Sequence, residues 1–259
     1  MKTRTFRSFI SMFFLIFVYF NTASASGNGK TAVVPRVSTG YMDYELKIPG
    51  APPVFPSQNF SVSTYFIGTG TTIFKQGFYF DAYAQTTDKA DDNSEAPGIG
   101  YYETFDGRRN DYSFSVGYTV TTRSALYFGY KNGRTGTSGN LGGTSVFREN
   151  GFFIGGTYGW QIAKKGVLSL NLALADLDGD IKFNTPALPG LALNSVSETT
   201  GISYGIAWQS RLNDNYNYSV SLDRHAYEFK NMIDRASGAL SGQIDEDMLS
   251  LKLSISREM

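Results

Sequence analysis

The chain has 259 residues, with 23 basic and 23 acidic side chains, 15% aromatic residues, 28 glycines and no cysteine. The aromatic content excludes a disordered chain. The lack of cysteine excludes disulfides, Cys-based zinc sites and thiol chemistry. Together with a mean hydropathy of −0.22, this aromatic-rich and glycine-rich composition favours a β-rich protein over a helical one.

The first 25 residues have the pattern of an export signal. Lys2, Arg4 and Arg7 precede an apolar stretch from residue 9 to 20, and Ala23-Ser24-Ala25 then supplies a cleavage pattern. A membrane anchor is the alternative, but the apolar stretch is too short to span a bilayer as a helix. We therefore expect a cleaved signal peptide over residues 1–25 and one domain over residues 26–259. That domain would carry 20 basic and 23 acidic residues, which gives no reason to expect nucleic acid as a partner.

From residue 26 onward, apolar and polar residues alternate strictly. Leu168, Leu170, Leu172 and Leu174, for example, are separated by small or polar residues. Such alternation predicts strands with one apolar and one polar face. About ten strands are predicted, at roughly 36–48, 60–74, 77–87, 110–121, 124–132, 150–162, 166–176, 198–210, 216–227 and 246–257.

The predicted connections alternate between short and long. Short links fall at 75–76, 122–123, 163–165 and 211–215, whereas long polar segments occupy 49–59, 88–109, 133–149, 177–197 and 228–245. Short turns at one end and long loops at the other are typical of bacterial outer-membrane β-barrels. Over residues 26–259 the sequence resembles that class, although it matches no particular family within it. The expected fold is all-β: a single closed antiparallel up-and-down transmembrane barrel of about ten strands (eight or twelve as alternatives), with short periplasmic turns and long extracellular loops.

A soluble β-sandwich or a lipocalin-like barrel is the alternative, and three features favour the membrane. The polar faces consist of Gly, Ser, Thr and Asn rather than Lys and Glu. The last strand resembles the assembly signal of outer-membrane barrels through Leu251, Leu253 and Ile255, although the chain ends in Met259 instead of the usual Phe. Aromatic residues also cluster beside the short turns, which indicates a girdle at one membrane interface. The predicted girdle is Phe74, Phe78, Tyr158, Trp160, Trp208, Tyr216 and Tyr218.

The lumen of a ten-stranded barrel is narrow, so large inward side chains should obstruct it. Strand parity predicts which side chains point into the lumen, and the charged ones among them form a predicted charge network. That network comprises Asp43, Glu45, Asp81, Lys131 and Lys252, and the aromatic members of the inward set are Tyr41, Tyr79, Tyr83 and Tyr127. Because an unpaired charge in a partly dry interior is costly, we expect Lys252 to meet Asp43 or Glu45 across the seam between the first and last strands.

Asp223 and His225 are separated by one residue, so they should share the lumen face of a strand. An Asp that orients a His is a recurring catalytic unit. The Asp-x-His pair is similar to that of the omptins, ten-stranded outer-membrane proteases, and the resemblance covers these two positions alone. Omptins also need an upstream Asp-x-Asp pair, which the corresponding loop here lacks. We therefore expect Asp223 and His225 to be a hydrogen-bonded pair in the lumen or at its rim, with no catalytic role.

Asp176, Asp178 and Asp180 surround Gly179 and are weak candidates for a calcium loop. The EF-hand pattern requires Gly at its sixth position and an acidic residue at its twelfth, where this chain has Ile181 and Ala187. We expect the three carboxylates to be solvated, with no metal and no cofactor bound. The glycine-rich residues 134–143 lack the ending of a phosphate-binding loop and are expected to form a flexible outer loop.

Three classes of function remain open. The favoured one is a non-enzymatic outer-membrane barrel with a largely occluded lumen, acting as a structural or surface-interaction protein. The second is a narrow, porin-like solute channel, and the third is a membrane-embedded hydrolase of peptide or lipid. The expected partners are outer-membrane lipid and lipopolysaccharide, together with the barrel-assembly machinery of the Gram-negative cell envelope.

Overall fold

The computed structural model describes residues 31–48, 58–96, 101–162, 165–184, 193–234 and 240–259. The predicted signal peptide lies outside these residues. Among them, no helix is long and apolar enough to cross a membrane. The strands are β1 (Ala32–Ile48), β2 (Gln58–Lys75), β3 (Phe78–Thr87), β4 (Ala90–Ala96), β5 (Tyr101–Thr121), β6 (Ser124–Gly139), β7 (Thr144–Ile162), β8 (Gly166–Asn184), β9 (Leu193–Arg211), β10 (Tyr216–Asp234) and β11 (Leu240–Arg257).

These strands close into one antiparallel barrel. Apart from β3 and β4, each strand pairs with its neighbours along the chain, and β1 pairs with β11 to complete the ring. Both β3 and β4 pair with β5, so they form a single barrel strand that is interrupted at Asp88 and Lys89. The barrel therefore has ten strands in up-and-down order, which confirms the predicted fold.

The described residues of the short turns, the start of β1 and the end of β11 lie at the same end of the barrel, here called the turn end. Backbone hydrogen bonds join Val33 to Met259 there, at 3.1 and 2.9 Å. Gln76 and Gly77 connect β2 to β3 with φ angles of 51° and 84°, the geometry of the two-residue turns that suit hairpins. The strand ends that flank the predicted long connections lie at the opposite end, called the loop end. The predicted separation of the two kinds of connection is confirmed.

The strands extend much further toward the loop end than predicted, to 16–21 residues in most cases. Most of the polar residues in 88–109, 133–149, 177–197 and 228–245 belong to strands rather than to loops. The prediction of a flexible outer loop over the glycine-rich residues 134–143 is also wrong. Strand β6 continues to Gly139, and only residues 140–143 connect it to β7.

The loop prediction failed because the polarity of each strand inverts partway along its length. On β8, Leu170 and Leu174 point outward and are 40% and 50% exposed, but the next outward residues are Asp176 and Asp178. Inward positions change in the opposite sense, from Asn171 to Leu177, which is 1% exposed. An outer surface in lipid must be apolar, whereas one in water need not be. In the sequence, the inversion interrupts the alternation of apolar and polar residues, just as the end of a strand does.

The outward apolar residues form a belt around the turn-end half of the barrel, which we name the apolar belt. Its last outward residues toward the loop end are Tyr41, Tyr65, Tyr112, Tyr130, Phe152, Leu174, Ile202, Leu222 and Leu249. The strand residues beyond them form the upper barrel. Leu170 and Leu174 lie on the outer face as predicted, and Asn171 lies inside, where it accepts a hydrogen bond from Thr157 at 2.6 Å.

Six of the seven predicted girdle aromatics occupy the outer face near the turn end. Tyr158 and Trp160 pack at 4.3 Å between ring centroids, Phe78 packs on a neighbouring tyrosine, and Trp208 donates to the hydroxyl of Tyr218 at 3.4 Å. Phe74 is the exception, because it shares the inward parity of its register partner Tyr79. Its place in the predicted girdle is therefore wrong.

The interior of the upper barrel is filled by an apolar core. Phe147 and Phe229 meet edge to face at its centre, with ring centroids 5.1 Å apart. The largest fully buried apolar side chains of this core are Phe66, Phe147, Leu177, Ile181, Phe229 and Ile244. Full burial of such a side chain stabilises the folded state by roughly 1.5–3 kcal/mol. The upper barrel thus has the polarity of a small water-soluble β-barrel, with an apolar inside and a polar outside.

Candidate functional site

A buried polar network crosses the lumen where the apolar core ends, and Arg109 lies at its centre. Arg109 is 2% exposed. Its guanidinium group donates to Oε1 of Glu149 and to Oε1 of Glu246, both at 2.6 Å, and lies 2.8 Å from Asp111. Arg109 and Asp111 are two residues apart on β5, so alternation places both side chains inside the barrel. Glu149 comes from β7 and Glu246 from β11, so Arg109 joins three strands that are far apart in sequence.

Lys131 and two tyrosines extend the network to three more strands. The Lys131 ammonium lies 2.7 Å from Oε1 of Glu149 and donates to the Tyr227 hydroxyl at 3.0 Å. It also lies 4.2 Å from the centroid of the Tyr227 ring, a cation–π contact. On the other side, the Tyr44 hydroxyl donates to Glu246 at 3.0 Å. The network therefore ties together β1, β5, β6, β7, β10 and β11.

The charges of this cluster do not balance without a bound proton. Arg109 and Lys131 supply two positive charges, while Asp111, Glu149 and Glu246 can supply three negative ones. The Oε2 atoms of Glu149 and Glu246 are both buried, and neither has a hydrogen-bond partner when both groups are treated as carboxylates. One proton between the two carboxyl groups supplies the missing donor and neutralises the cluster.

The environments of the two glutamates assign that proton. Burial raises the pKa of Glu246 well above its ordinary value, and the charge of Glu149 adds to this effect although Arg109 opposes it. Burial also acts to raise the pKa of Glu149, but Lys131 and Arg109 outweigh it and hold that pKa well below its ordinary value. Glu149 is thus the carboxylate and Glu246 the protonated partner. Both residues lie in the upper barrel, beyond the apolar belt.

Asp223 and His225 both face the lumen, but each binds different neighbours. Asp223 accepts from Ser221 at 2.7 Å and lies 3.6 Å from the Lys252 ammonium. Nδ1 of His225 lies 2.7 Å from the Ser203 hydroxyl and 3.3 Å from that of Tyr227. Burial, with the nearby charge of Lys131, lowers the pKa of His225 to about 4, so the ring is neutral at pH 7.

The predicted contact of Lys252 with Asp43 or Glu45 is wrong. Lys252 lies opposite Gly40 in the β1–β11 register, and both carboxylates are on the other face of β1, outside the barrel. There Asp43 accepts from Ser63 at 2.5 Å and Glu45 pairs with Lys47 at 2.8 Å. Tyr41 also points outward, 5.4 Å from a neighbouring tyrosine ring. The polarity inversion explains the error, because the apolar part of β1 changes faces at Met42.

The remaining predicted luminal residues face the interior. Asp81 forms a bidentate ion pair with Arg36, at 2.6 and 2.8 Å. This pair lies closer to the turn end than the network around Arg109. Inward glycines leave room for the large aromatic residues. A Cβ atom on Gly117 would come within 2.1 Å of the Tyr79 ring, and one on Gly155 within 2.6 Å of the Tyr127 ring. The bore inside the apolar belt is thus narrowed by aromatic side chains packed over glycines.

Asp176, Asp178 and Asp180 occupy successive outward positions of β8. Alternate residues on a strand are about 6.6 Å apart, which spreads the three carboxylates along the outer wall. Within the described residues, no group of three His, Asp or Glu side chains is arranged to hold a metal ion.

The sequence did not predict Arg109, Glu149, Glu246 or Tyr44 as site residues. Arg109 and Glu149 lie in predicted loops, Tyr44 lies on a strand whose predicted inward face was wrong, and Glu246 is the first residue of the last predicted strand. The parity of Ser113 and Ser115, continued back along β5, leads to Asp111 and Arg109. Continued alternation was therefore the signal that could have identified two of the residues.

No known family model matches the sequence, and no curated protein is similar enough in sequence to match it. Among solved structures, the fold is similar to the outer membrane protease OmpT from Escherichia coli, with a TM-score of 0.57 and 9% identity over 88% of this chain and 97% of that one. Matches at TM-scores of 0.36 and 0.34 are Ail, the attachment invasion locus protein of Yersinia pestis (11% identity; 86% of this chain, 97% of that one), and Neisserial surface protein A (10% identity; 86% and 96%). The chain has the fold of the small outer-membrane β-barrels.

Proposed function

We propose that this chain is an integral outer-membrane barrel with an occluded lumen, acting as a structural or surface-interaction protein and not as an enzyme. The observation that carries the proposal is the filled bore. An apolar core around Phe147 and Phe229 closes the upper barrel, and the network around Arg109 spans the lumen directly beneath it. In this proposal the apolar belt lies in the bilayer, the turn end faces the periplasm and the upper barrel stands outside the cell.

Single-channel recording in planar bilayers tests the occlusion. We expect the wild-type barrel to give no large, steady conductance, since neither water nor ions have an open path through the apolar core. A Phe147→Ala/Phe229→Ala variant removes the two rings that meet at the centre of the core, and it should conduct more often. A large, steady and non-selective conductance from the wild-type protein would contradict the proposal.

A narrow solute channel is the first alternative. The lumen inside the apolar belt favours it, because that part is lined by polar residues such as Ser169, Asn171 and Lys252. A channel of this kind would need the upper core to move aside. Small, solute-dependent conductance steps in the wild-type protein, absent from a matched detergent blank, would support this alternative over the occluded barrel.

A hydrolase of peptide or lipid is the second alternative, and it depends on Asp223 and His225. Their shared inward face and the fold similarity to a protease favour it. Against it, His225 lies on the turn-end side of Phe229 on β10, beneath the apolar core, and binds Ser203 and Tyr227. An Asp223→Ala/His225→Ala variant, assayed beside wild type on peptide and lipid substrates, tests it. Hydrolysis by the wild type that is lost in the variant would establish catalysis.

A further inference from the structure

The outer surface of the upper barrel divides into a basic and an acidic sector. Three exposed arginines, Arg108 on β5, Arg134 on β6 and Arg148 on β7, point outward on consecutive strands. The sector from β8 through β11 to β1 carries mainly carboxylates at the corresponding levels, several of them paired with a lysine or arginine. The outward acidic residues there are Asp43, Glu45, Asp176, Asp178, Asp180, Glu198, Glu228, Asp245 and Asp247.

The three arginines lie close together. Arg134 and Arg148 are directly opposite each other in the β6–β7 register. Arg108 pairs with Gly136, which makes it the diagonal neighbour of Arg134. Directly opposed side chains on one face have Cβ atoms about 5 Å apart, and diagonal ones about 7–8 Å. Like charges at such distances destabilise a sheet unless an anion lies between them.

Few counter-charges border this cluster in the described part of the chain, and Asp106, two residues from Arg108 on the same face, pairs with Lys89. None of the three arginines takes part in an ion pair among the described residues, whereas Arg224 on the acidic sector pairs with Asp247 at 2.5 Å. Asp180 lies opposite Arg148 in the β7–β8 register and borders the cluster on one side. The position opposite Arg108 is Gly136, where a Cβ atom would meet nothing within 4 Å. The cluster therefore has open space on its outer surface beside Arg108.

The height of the cluster identifies the kind of anion that it would meet. Each arginine lies four residues beyond the last outward aromatic residue of its strand, in the pairs Tyr112/Arg108, Tyr130/Arg134 and Phe152/Arg148. Four residues on a strand tilted by about 40° rise roughly 10 Å along the membrane normal. Aromatic residues prefer the edge of the hydrocarbon layer, so the guanidinium groups, on flexible stems, reach the headgroup layer. Guanidinium groups bind phosphate oxygens in a bidentate manner.

We propose that Arg108, Arg134 and Arg148 form a binding site for the phosphate groups of lipopolysaccharide in the outer leaflet. The inference rests on the proposed insertion of this barrel in the outer membrane. The acidic sector would repel the same phosphates, so the lipid binds on one side of the barrel. The ring of lipid around the protein is then asymmetric, with a bound phosphorylated lipid against β5–β7.

The test compares two triple variants of the full chain, folded in mild detergent. Arg108→Gln/Arg134→Gln/Arg148→Gln removes the cluster. Lys47→Gln/Arg224→Gln/Lys230→Gln is the matched control, because it removes three outward cations from β1 and β10, away from the cluster. The probes are diphosphoryl lipid A, the same lipid A after dephosphorylation, and inorganic phosphate. At about fivefold per arginine, we expect the first variant to bind diphosphoryl lipid A about a hundredfold more weakly than wild type.

The control variant and the other two probes distinguish bound lipid from free phosphate. The insertion assay separates a failure of the lipid site from a failure of the proposed function. We expect the control variant to bind like wild type, dephosphorylated lipid A to bind wild type weakly, and inorganic phosphate to compete poorly. Equal binding by wild type and the arginine variant, or equal binding of the two lipids, would overturn the lipid site. Competition by inorganic phosphate at the same concentration as the lipid would also overturn it, in favour of a free-phosphate site. Insertion of all three proteins into vesicles is measured first, by protection from protease. A wild-type chain that fails to insert would contradict the proposed function and the lipid site together.

Discussion

Glu149→Gln and Glu246→Gln should differ strongly in stability, although each removes one carboxyl group from the same cluster. Glu149 is the carboxylate that neutralises Arg109 and Lys131, with contacts of 2.6 and 2.7 Å. Its replacement by Gln leaves two buried cations with one counter-charge, on Asp111. Removing one partner of a buried ion pair costs about 3–5 kcal/mol. We therefore expect Glu149→Gln to lower the free energy of unfolding by about that amount.

Glu246 is already protonated in the folded state, so Gln is a close replacement for it. The amide oxygen can still accept from Arg109 and Tyr44, which contact Oε1 of Glu246 at 2.6 and 3.0 Å. The amide NH₂ group can donate to Glu149 in place of the shared proton. The expected loss is that of one imperfect hydrogen bond, about 1 kcal/mol. The two variants should thus differ by about 2–4 kcal/mol.

Reversible urea unfolding in lipid vesicles measures this difference. The two tryptophans, Trp160 and Trp208, lie on the outer face near the turn end and report insertion by their fluorescence. Glu198→Gln is the matched control, because it removes an exposed carboxylate from the upper barrel, and it should change stability by no more than about 0.5 kcal/mol. Equal losses in Glu149→Gln and Glu246→Gln, or a larger loss in the second, would refute the assignment of the proton.

The same assignment fixes the sign of a pH dependence. Because the pKa of Glu246 is raised in the folded state, folding binds a proton at pH values above 4.5, the ordinary pKa of a glutamate. This contribution to stability is complete below that pH and is lost as the pH rises through the raised pKa. Glu246→Gln removes the titrating group and should flatten that part of the pH profile. The shared proton would be contradicted if the stability of the wild type did not decline with rising pH. It would also be contradicted if the same decline persisted in Glu246→Gln.

Three further changes test the packing, the belt and the histidine. Gly117→Ala places a Cβ atom within 2.1 Å of a facing tyrosine ring and should destabilise the barrel by about 1–3 kcal/mol, whereas Gly136→Ala, with open space, should not change the unfolding midpoint. Leu170→Lys in the apolar belt should cost about 2–4 kcal/mol in vesicles, while Asp178→Lys in the upper barrel should insert as well as wild type. His225 is the sole histidine of the chain, and its ring resonances should titrate with a pKa of about 4. Its contribution to stability, present above pH 6.5, should therefore be lost as the pH falls toward 4, and a measured pKa above 6 would contradict its burial.

Alternation within the apolar belt was sufficient to predict the fold, because lipid imposes one polarity on every strand. The outward set Tyr112, Phe114 and Tyr118 and the inward set Ser113 and Ser115 follow from this rule. The rule fails at the edge of the belt. On β1 the apolar residues change from the outer to the inner face between Tyr41 and Met42, with no break in the strand. A period-two pattern with a change of phase is indistinguishable from two short strands, so the sequence could not reveal the upper barrel.

The central network could not be predicted, because its contacts depend on the barrel's register as well as on strand parity. Arg109 and Glu246 are 137 residues apart in sequence, and Arg109 and Glu149 are 40 apart. Parity decides only that such residues face inward, and their relative heights depend on the strand tilt and on the true strand length. The prediction for Lys252 paired the first and last strands correctly but assigned the wrong inward face to β1. That error alone selected the wrong carboxylates.

The position of the network follows from the two solvents outside the barrel. The interior is polar where the outside is lipid, and apolar where the outside is water. The two regimes meet just beyond the apolar belt, where the inward residues are Tyr44, Arg109, Lys131, Glu149 and Glu246. At this level an inward side chain contacts the apolar core on one side and a polar lumen on the other. It is therefore buried, and an unpaired charge on it would be destabilising. Polar groups there are tolerable only if they satisfy one another.

Six strands meeting at one buried cluster also fix the register of those strands, since a slip by two residues in any of them would leave a buried charge without its partner. We therefore interpret the network as the element that closes the lumen and sets the register of the barrel.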